Sequence, residues 1–283
     1  MGSAPAHLPD AIRRFAEEPD AEQPEPWLPA RRFVRPAYTL VLSPSPTHSC
    51  VSRVRTTAGE LDGVIAEVRG ILRDHGFVAC GWYLGPSCRP TGLARMLAER
   101  GFVPATTAPF EPRFTVMTLT RPPPVPPPRP GIEARLVRSC DEYVAAFRAG
   151  LEASGVPELE IAKWIEAAPK GWDHASGIAR MTHIALADGQ IAGLGVASPG
   201  PSAILLGGGA VLEAYRGRGV YRALVASRWR AAVELGKPAL TVHAGAMSRP
   251  ILERCGFEVL CELDVLVDPS LSSPSAPSAP SLR

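Results

Sequence analysis

The 283-residue chain lacks the features that mark membrane, exported or nucleic-acid-binding proteins. No apolar run approaches the roughly 20 residues that a membrane-spanning helix needs, and the first thirty residues hold proline and acidic side chains in place of an apolar signal segment. Net charge is only +2, and the basic residues are scattered arginines with few lysines. We therefore expect a cytoplasmic protein that binds neither membrane nor nucleic acid.

Cysteine is also sparse, and its spacing excludes two classes of small domain. The six cysteines include no Cys-x-x-Cys pair, so the sequence predicts neither a zinc site nor a disulfide framework. We expect free thiols and no bound metal. Apolar residues, in contrast, make up 46% of the chain, which is enough for the cores of two domains.

Proline marks the clearest boundary in the chain. Seven of the ten residues 121–130 are prolines, and such a segment forms a semi-rigid polyproline II spacer of about 30 Å at 3.1 Å per residue. An SH3-type ligand is the alternative interpretation. Residues 1–30, rich in proline and acidic side chains, and the serine- and proline-rich tail 269–283 are predicted to be disordered.

The C-terminal half alternates between strand and helix patterns, which predicts an α/β domain with a mixed, largely antiparallel sheet. Asp188-Gly189 between two apolar runs is a strong hairpin signal. The run 203–211 is apolar on both faces and is predicted to be central. The predicted strands are 132–138, 178–187, 190–198, 203–211 and 239–243, and the predicted helices are 141–154, 157–168, 220–235 and 249–255.

A short motif occurs once in each half. Leu-x-x-x-Gly-Phe spans Leu97–Phe102 and Leu252–Phe257, with the two glycines 155 residues apart. Each copy follows a helix, a glycine, a strand and a second helix in the predicted order. This repeat indicates that one α/β unit has been duplicated.

The segment 211–224 carries the chemistry that can be recognised from local physics. Its predicted strand runs into a loop where Gly217 and Gly219 allow close approach of a ligand to the backbone, and a helix begins directly after. The N–H groups of a first helical turn form an anion site. A plain glycine turn with solvated arginines is the equally weighted alternative. The flanking arginines are Arg216, Arg218 and Arg222.

This loop, Arg216-Gly-Arg-Gly-Val-Tyr221, resembles the pyrophosphate loop Arg/Gln-x-x-Gly-x-Gly/Ala of the GNAT superfamily of acyl-CoA-dependent N-acyltransferases. The segment Leu252–Glu258 resembles the closing helix and last strand of that family. The resemblance covers 131–268. Over 31–120 it is faint, because Thr56-Thr-Ala-Gly-Glu60 stands where the loop should be. It implies two GNAT-like domains in tandem, a degenerate one at 31–120 and an acetyltransferase domain at 131–268, on either side of the 121–130 linker.

The resemblance implies the following site. The backbones of Val211 and Leu212 would bind the pantetheine arm of acetyl-CoA, and strands 203–211 and 239–243 would diverge to admit the thioester and the acceptor. The residues whose N–H groups would hold the diphosphate are Arg216, Gly217, Arg218, Gly219, Val220 and Tyr221.

Three positions depart from the family pattern. Tyr221 occupies the Gly/Ala position, Leu252 stands where the usual tyrosine acid lies, and Gly245 replaces the usual asparagine. His243 is the best candidate for the general base and Ser248 for the proton donor; a strand-end histidine and a helix cap are the structural alternatives. Glu213 and His183 are weaker candidates for the base.

The sequence thus predicts an N-acetyltransferase that transfers an acetyl or short acyl group from acetyl-CoA to an amine of a small molecule or peptide. A loop that includes Trp164, Trp172, Asp173 and His174 is predicted to select the acceptor. The alternative is a catalytically silent acyl-CoA-binding sensor or structural module. Nucleotide binding is less favoured, because the loop lacks the Gly-Lys-Ser/Thr of a P-loop.

Overall fold

The computed structural model describes residues 8–23, 30–43, 48–106, 110–124, 129–172 and 180–271. The helices are α1 (Asp10–Glu17), α2 (Pro19–Glu22), α3 (Leu61–Asp74), α4 (Leu93–Ala98), α5 (Cys140–Ala153), α6 (Glu158–Ala167), α7 (Val220–Glu234) and α8 (Arg249–Arg254). The strands are β1 (Arg31–Val34), β2 (Thr39–Leu42), β3 (Ser49–Ser52), β4 (Gly81–Leu84), β5 (Val103–Pro104), β6 (Arg113–Leu119), β7 (Ile132–Leu136), β8 (Met181–Ala187), β9 (Gln190–Pro199), β10 (Ile204–Val211), β11 (Leu240–Ala244) and β12 (Glu258–Val267).

By its contacts the chain divides into two compact units. Unit 1 is Met1–Leu28 with Phe114–Glu262, and unit 2 is Pro29–Arg113 with Leu263–Arg283. Strand β6 belongs with β11, and the end of β12 belongs with β4. Each half of the chain therefore takes its closing strand from the other half. In this respect the division differs from the boundaries expected at 31–120 and 131–268.

Unit 1 is built on a sheet in the order β7-β8-β9-β10-β11-β6. All its pairs are antiparallel except β10 with β11, which is parallel. The mixed, largely antiparallel sheet expected for the α/β fold is thus confirmed. Helix α7 covers one face, where Ala185 packs with Leu224, and α5 covers the other, where Ile184 packs with Ala146. Successive side chains of β8 point to opposite faces of the sheet, and apolar residues on both faces are buried because a helix covers each face.

The hairpin between β8 and β9 is confirmed. Asp188 and Gly189 have φ of 52° and 79°, and both positive values are those of the two-residue turn that asparagine, aspartate and glycine favour. The turn aligns Ala187 with Gln190 and starts the ladder between the two strands.

The expectation that residues 1–30 are disordered is wrong for residues 8–23. Helix α1 packs onto unit 1, where Phe15 is fully buried against Ala203 and Ala239. Gly200 provides the space, since a Cβ there would collide with the Phe15 ring. The proline and acidic residues of this segment predicted disorder. The helix is ordered because one large aromatic side chain is buried against glycine and alanine residues that are distant in the sequence.

Unit 2 pairs β1, β2, β3, β4 and the end of β12. Its β3–β4 pair is parallel, as is β10–β11 in unit 1. The two Leu-x-x-x-Gly-Phe motifs close their helices identically: Phe102 N–H bonds the Leu97 carbonyl and Phe257 N–H bonds the Leu252 carbonyl, each at 3.1 Å. The local structures of the two copies therefore match the repeat found in the sequence.

Several expectations concern absences. Across the described ranges, no helix is long and apolar enough to cross a membrane. In the same part of the chain, His, Cys, Asp and Glu side chains form no cluster of three that is suited to a metal ion. All six cysteines are unpaired. Residues 125–128 of the predicted linker and 272–283 of the predicted tail lie outside the described residues, whereas Pro269–Leu271 forms a 3-10 turn.

Because α1 is docked through a buried side chain, truncating that side chain should destabilise unit 1, even though α1 lies far from the rest of the unit in sequence. Replacing Phe15 with alanine should lower the free energy of unfolding by about 3 kcal/mol, because a filled site in the core becomes a cavity. Leu159→Ala is the control, since Leu159 is 75% exposed and its loss should change stability by less than about 0.5 kcal/mol. Urea titration measures both; equal stability of the two variants would show that α1 is not docked.

Candidate functional site

A gap opens between the two central strands of unit 1. Strands β10 and β11 pair only at Ile204–Leu240 and Leu205–Thr241 within the described span 180–271. Beyond Leu205, the edge of β10 that faces β11 has no ladder partner in this span. The divergence expected for strands 203–211 and 239–243 is therefore present, and it exposes backbone polar groups along the second half of β10.

The exposed part of β10 contains a bulge. Its pairing with β9 passes from Gly207 opposite Val196 directly to Ala210 opposite Leu194. Gly208 has φ of +54°, and all three glycines 207–209 are exposed. A bulge leaves extra backbone groups unpaired. The sequence predicted a regular strand over 203–211. The signal for the bulge is the run of three consecutive glycines inside this apolar strand.

At the end of β10, Val211 and Leu212 differ in their backbone hydrogen bonds, although the resemblance assigned both to the pantetheine arm. Leu212 N–H bonds the Ala192 carbonyl at 3.0 Å, and its own carbonyl accepts from Tyr215 N–H at 2.9 Å. Both backbone groups of Leu212 are therefore already used by the protein. Val211 precedes it, so by alternation the backbone groups of Val211 point to the opposite edge of the strand, toward the gap. The Val211 carbonyl accepts a side-chain hydrogen bond from Arg216 Nε at 3.3 Å.

The Gly/Arg loop that follows leads into an open helix start. Gly217 and Gly219 have φ of +74° and +92°, and a Cβ on either would meet no atom within 4 Å. Gly219 is the N-cap, and within the described chain no side chain caps α7. The first backbone bond of the helix runs from Ala223 N–H to the Gly219 carbonyl. The N–H groups of residues 220–222 thus have no acceptor inside the helix.

Positive charge surrounds this helix start. Arg216 and Arg222 are exposed. Arg218 is held by an ion pair with Asp188 at 2.8 Å, and its guanidinium lies 5.5 Å from the centroid of the Tyr215 ring. First-turn N–H groups without a side-chain cap in the described chain, the positive end of a helix dipole and three arginines form a combination that can attract an anion such as a diphosphate.

The matching helix of unit 2 begins with acidic side chains. In the turn before α3, the carboxylate of Glu60 accepts hydrogen bonds from Thr57 N–H at 3.1 Å and from Thr57 Oγ1 at 2.8 Å. These bonds lower the pKa of Glu60, so the group is a carboxylate at neutral pH. Neither helix has a side-chain cap in the described residues, but α3 begins with the acidic residues Glu60 and Asp62, whereas the first turn of α7 contains no acidic residue.

Tyr221, in the Gly/Ala position of the loop, turns its side chain toward β10. A Cβ placed on Gly209 would lie 3.1 Å from Tyr221 Cε2 and 3.6 Å from its hydroxyl oxygen. On its other side the ring centroid is 5.9 Å from the Arg228 guanidinium. The side chain thus lies beside the bulge, on the face of the sheet that α7 covers.

His243, the candidate base, lies on the opposite face of the sheet. Its neighbours Val242 and Ala244 pack on the α7 side, so alternation places His243 away from α7. Its Nε2 is 2.8 Å from the Ala16 carbonyl, and Nε2–H is therefore the donor of that bond. Burial lowers the pKa of His243, opposed by this bond. The ring is neutral at pH 7 and its Nδ1 carries the lone pair.

The two other positions of the family's acid region differ in their surroundings. Ser248 is the N-cap residue of α8, but its side chain makes no capping hydrogen bond; its hydroxyl donates to the Gly245 carbonyl at 3.2 Å. Leu252 is fully buried in the core of unit 1 with Val225 and Trp229. A side chain that can donate a proton is therefore missing where the family's tyrosine would be.

His183, a weaker candidate for the base, lies beneath α7. It is 1% exposed, and its Nδ1 is 2.9 Å from Ser227 Oγ. Its pKa falls to about 3, chiefly because burial disfavours the charged ring, with Arg228 and Arg230 adding repulsion. His183 is thus a neutral histidine of the core.

The predicted acceptor wall is only partly described. Trp172 lies 6.0 Å from the Tyr143 ring and Trp164 lies 6.5 Å from the Phe147 ring, between centroids. Tyr143 and Phe147 themselves stack at 6.1 Å. The two tryptophans therefore belong to an aromatic cluster on α5, α6 and the turn after α6. Asp173 and His174 lie outside the described residues.

No protein-family model matches the chain, and no curated protein does. Solved structures match it over most of its length. A GCN5-related N-acetyltransferase from Kribbella flavida aligns with a TM-score of 0.65 at 18% identity, over 84% of this chain and 89% of that one. A GCN5-related N-acetyltransferase from Sphaerobacter thermophilus aligns at 0.61 and 19%, over 82% and 76%. A tandem GNAT protein from the clavulanic acid biosynthesis pathway, solved without acetyl-CoA, aligns at 0.59 and 18%, over 84% and 79%. The chain therefore has the GNAT fold.

Buried His183 predicts an acid sensitivity that one substitution should relieve. Its pKa is about 3 in the folded chain and near 6.5 when unfolded, so the unfolded chain binds more protons below pH 6.5 and stability falls. At pH 5 this residue should cost about 2 kcal/mol of unfolding free energy relative to pH 7. Urea titrations at both pH values should show a smaller loss in His183→Asn than in the parent chain; equal losses would contradict the assignment.

Proposed function

We propose that unit 1 binds acetyl-CoA, or another short acyl-CoA, and transfers the acyl group to the amine of a small molecule or peptide. The observation that carries the proposal is the uncapped, arginine-flanked start of α7 at the end of a strand whose gap-facing edge is free. The GNAT fold of the chain supports the same reading. Unit 2 is, on this proposal, a degenerate copy that has lost CoA binding, because the acidic residues Glu60 and Asp62 stand at its helix start and would repel a diphosphate.

The donor would follow the free edge of β10. Its diphosphate would accept from the N–H groups at the start of α7 and pair with the arginines of the loop. The pantetheine arm would add as a short strand beside Val211, and Leu212 would serve only as structure because its backbone groups are used. The thioester carbonyl would then reach the bulge, where an exposed glycine N–H can stabilise the developing oxyanion.

Transfer requires a neutral amine and a leaving thiolate. The amine nitrogen attacks the thioester carbon, the oxyanion collapses, and the C–S bond breaks. His243 is the candidate that would take the amine proton at Nδ1, since its Nε2–H is fixed on Ala16 and burial keeps the ring neutral. Ser248 is the weaker candidate for returning a proton to sulfur, because its hydroxyl already donates to Gly245.

A second function has an observation in its favour. Leu252 buries an apolar side chain where the family places its acid, which is compatible with a silent acyl-CoA sensor. Incubation with acetyl-CoA and a panel of amines, followed by release of free thiol, separates the two. We expect amine-dependent release with at least one acceptor class; tight CoA binding without release for any amine would favour the sensor.

Donor binding is tested by a pair of matched glycine variants. Gly217→Asp places a carboxylate in the loop and should weaken CoA binding by more than about tenfold, through repulsion of the diphosphate. Gly76→Asp is the control, because Gly76 also has a positive φ, +73°, with open space at its Cβ, but ends α3 in unit 2. Calorimetry measures both. Unchanged CoA affinity in Gly217→Asp would overturn the site.

A further inference from the structure

The proposed reaction leaves one proton without a donor. The departing CoA thiolate must be protonated, yet Leu252 is buried and apolar and Ser248 donates to Gly245. A side chain that replaces the family's acid must lie beside the bulge of β10 and carry a proton that it can donate. Its deprotonated form must also be stabilised by its surroundings. Among the side chains described around the bulge, Tyr221 meets these conditions.

Tyr221 is placed by two elements of the site itself. It lies in the first turn of α7, directly after the loop glycines, and its ring and hydroxyl lie against Gly209. Gly209 has no side chain, and the Tyr221 ring takes the space beside its backbone. The hydroxyl therefore lies at the part of β10 where the thioester would be held, on the face opposite His243.

Arg228 provides a cation behind this phenol. Arg228 also lies in α7, seven residues after Tyr221. It is 1% exposed and forms no ion pair in the described chain. Its Nε donates to the Leu224 carbonyl at 3.1 Å and its Nη1 to the Val196 carbonyl at 3.4 Å. Val196 lies on β9, opposite Gly207 at the edge of the bulge. Its Nη2 has no partner in the described chain.

A buried guanidinium without a carboxylate is costly, and its retention calls for a compensating role. Gly195 is shaped around it, since a Cβ there would lie 2.9 Å from Arg228 Cζ. The groups that face the guanidinium include the Tyr221 ring, His183, held neutral, and Cys255. Of these, the Tyr221 side chain also lies beside Gly209 in the bulge of β10.

We propose that Tyr221 donates the proton that converts the departing CoA thiolate to the thiol, and that Arg228 is a positioning residue that holds the phenol and stabilises its phenolate. In the step, the C–S electron pair goes to sulfur, the Tyr221 O–H bond breaks, and the proton moves to sulfur. The proton lost by the attacking amine then returns to the phenolate through solvent. The proposal rests on the proposed function and deepens it.

The test measures contact between one hydroxyl and one sulfur, so it needs no known acceptor. Calorimetry compares CoA with desulfo-CoA, which lacks the sulfur, in the parent chain and in Tyr221→Phe. The parent should prefer CoA by about three- to tenfold, the value of one hydrogen bond. Tyr221→Phe should lose that preference and bind desulfo-CoA as the parent does. Tyr83→Phe, in unit 2, is the matched control and should keep the preference.

Arg228 is tested in the same cycle. Arg228→Met should lose the preference for CoA, whereas Arg228→Lys, which keeps the charge, should retain most of it; both should bind desulfo-CoA normally if the fold is intact. A merely structural arginine would affect both ligands alike.

The outcomes separate the two proposals. No binding of CoA by the parent chain overturns the proposed function. Binding with equal affinity for CoA and desulfo-CoA, or a preference that survives in Tyr221→Phe, leaves acyl-CoA binding standing and overturns the role of Tyr221.

Discussion

The first turn of an α-helix carries N–H groups that no residue of the helix can accept from, and some acceptor must satisfy them. Helices α3 and α7, at equivalent places of the repeat, both begin without a side-chain cap in the described residues. They differ in charge: α3 begins with the acidic residues Glu60 and Asp62, whereas α7 has no acidic residue in its first turn and follows the glycine–arginine loop. An anion is repelled by the first helix start and attracted by the second. On the proposed function, this difference makes unit 1 the one that holds the anionic ligand.

The neighbouring strand gives that open end a direction. Because β10 leaves its ladder with β11 after Leu205, an extended ligand can run from the helix start along the free edge. The glycine bulge then exposes backbone groups at the far end of that path. Polar side chains stand on both faces of the sheet there, with Tyr221 and Arg228 under α7 and His243 on the α1 side. An amine and a leaving thiolate would thus meet different groups, one on each face.

How much of this was predictable depends on whether the determining contacts are local. The Asp188-Gly189 hairpin and the loop before α7 follow from a few adjacent residues with special backbone preferences, and both are where the sequence placed them. Helix α1 was not predicted, because its order depends on Phe15 entering a slot at Gly200, almost two hundred residues away. The exchange of β6 and the end of β12 between the halves is likewise a matter of pairing that no local pattern encodes.

The side chains of the site divide in the same way. The anion loop was visible from Arg216 to Gly219, whereas the orientation of Tyr221 depends on the space left by Gly209. Leu212 looked equivalent to Val211 in sequence, yet the backbone of Leu212 bonds Ala192 and Tyr215, whereas the Val211 carbonyl points to the other edge and accepts from the Arg216 side chain. Pattern alone identifies the residue types that a ligand needs; the register of β10 decides which of them are available.

Hydrogen exchange of the backbone tests the central claim most directly, since it reads the N–H groups themselves. Mass spectrometry of the full chain with and without CoA should show protection in peptides spanning 212–224 and no change in peptides spanning 56–66, where Glu60 and Asp62 would repel the diphosphate. Protection of the second segment, or of neither, would contradict the account that an open helix start in unit 1 holds the ligand.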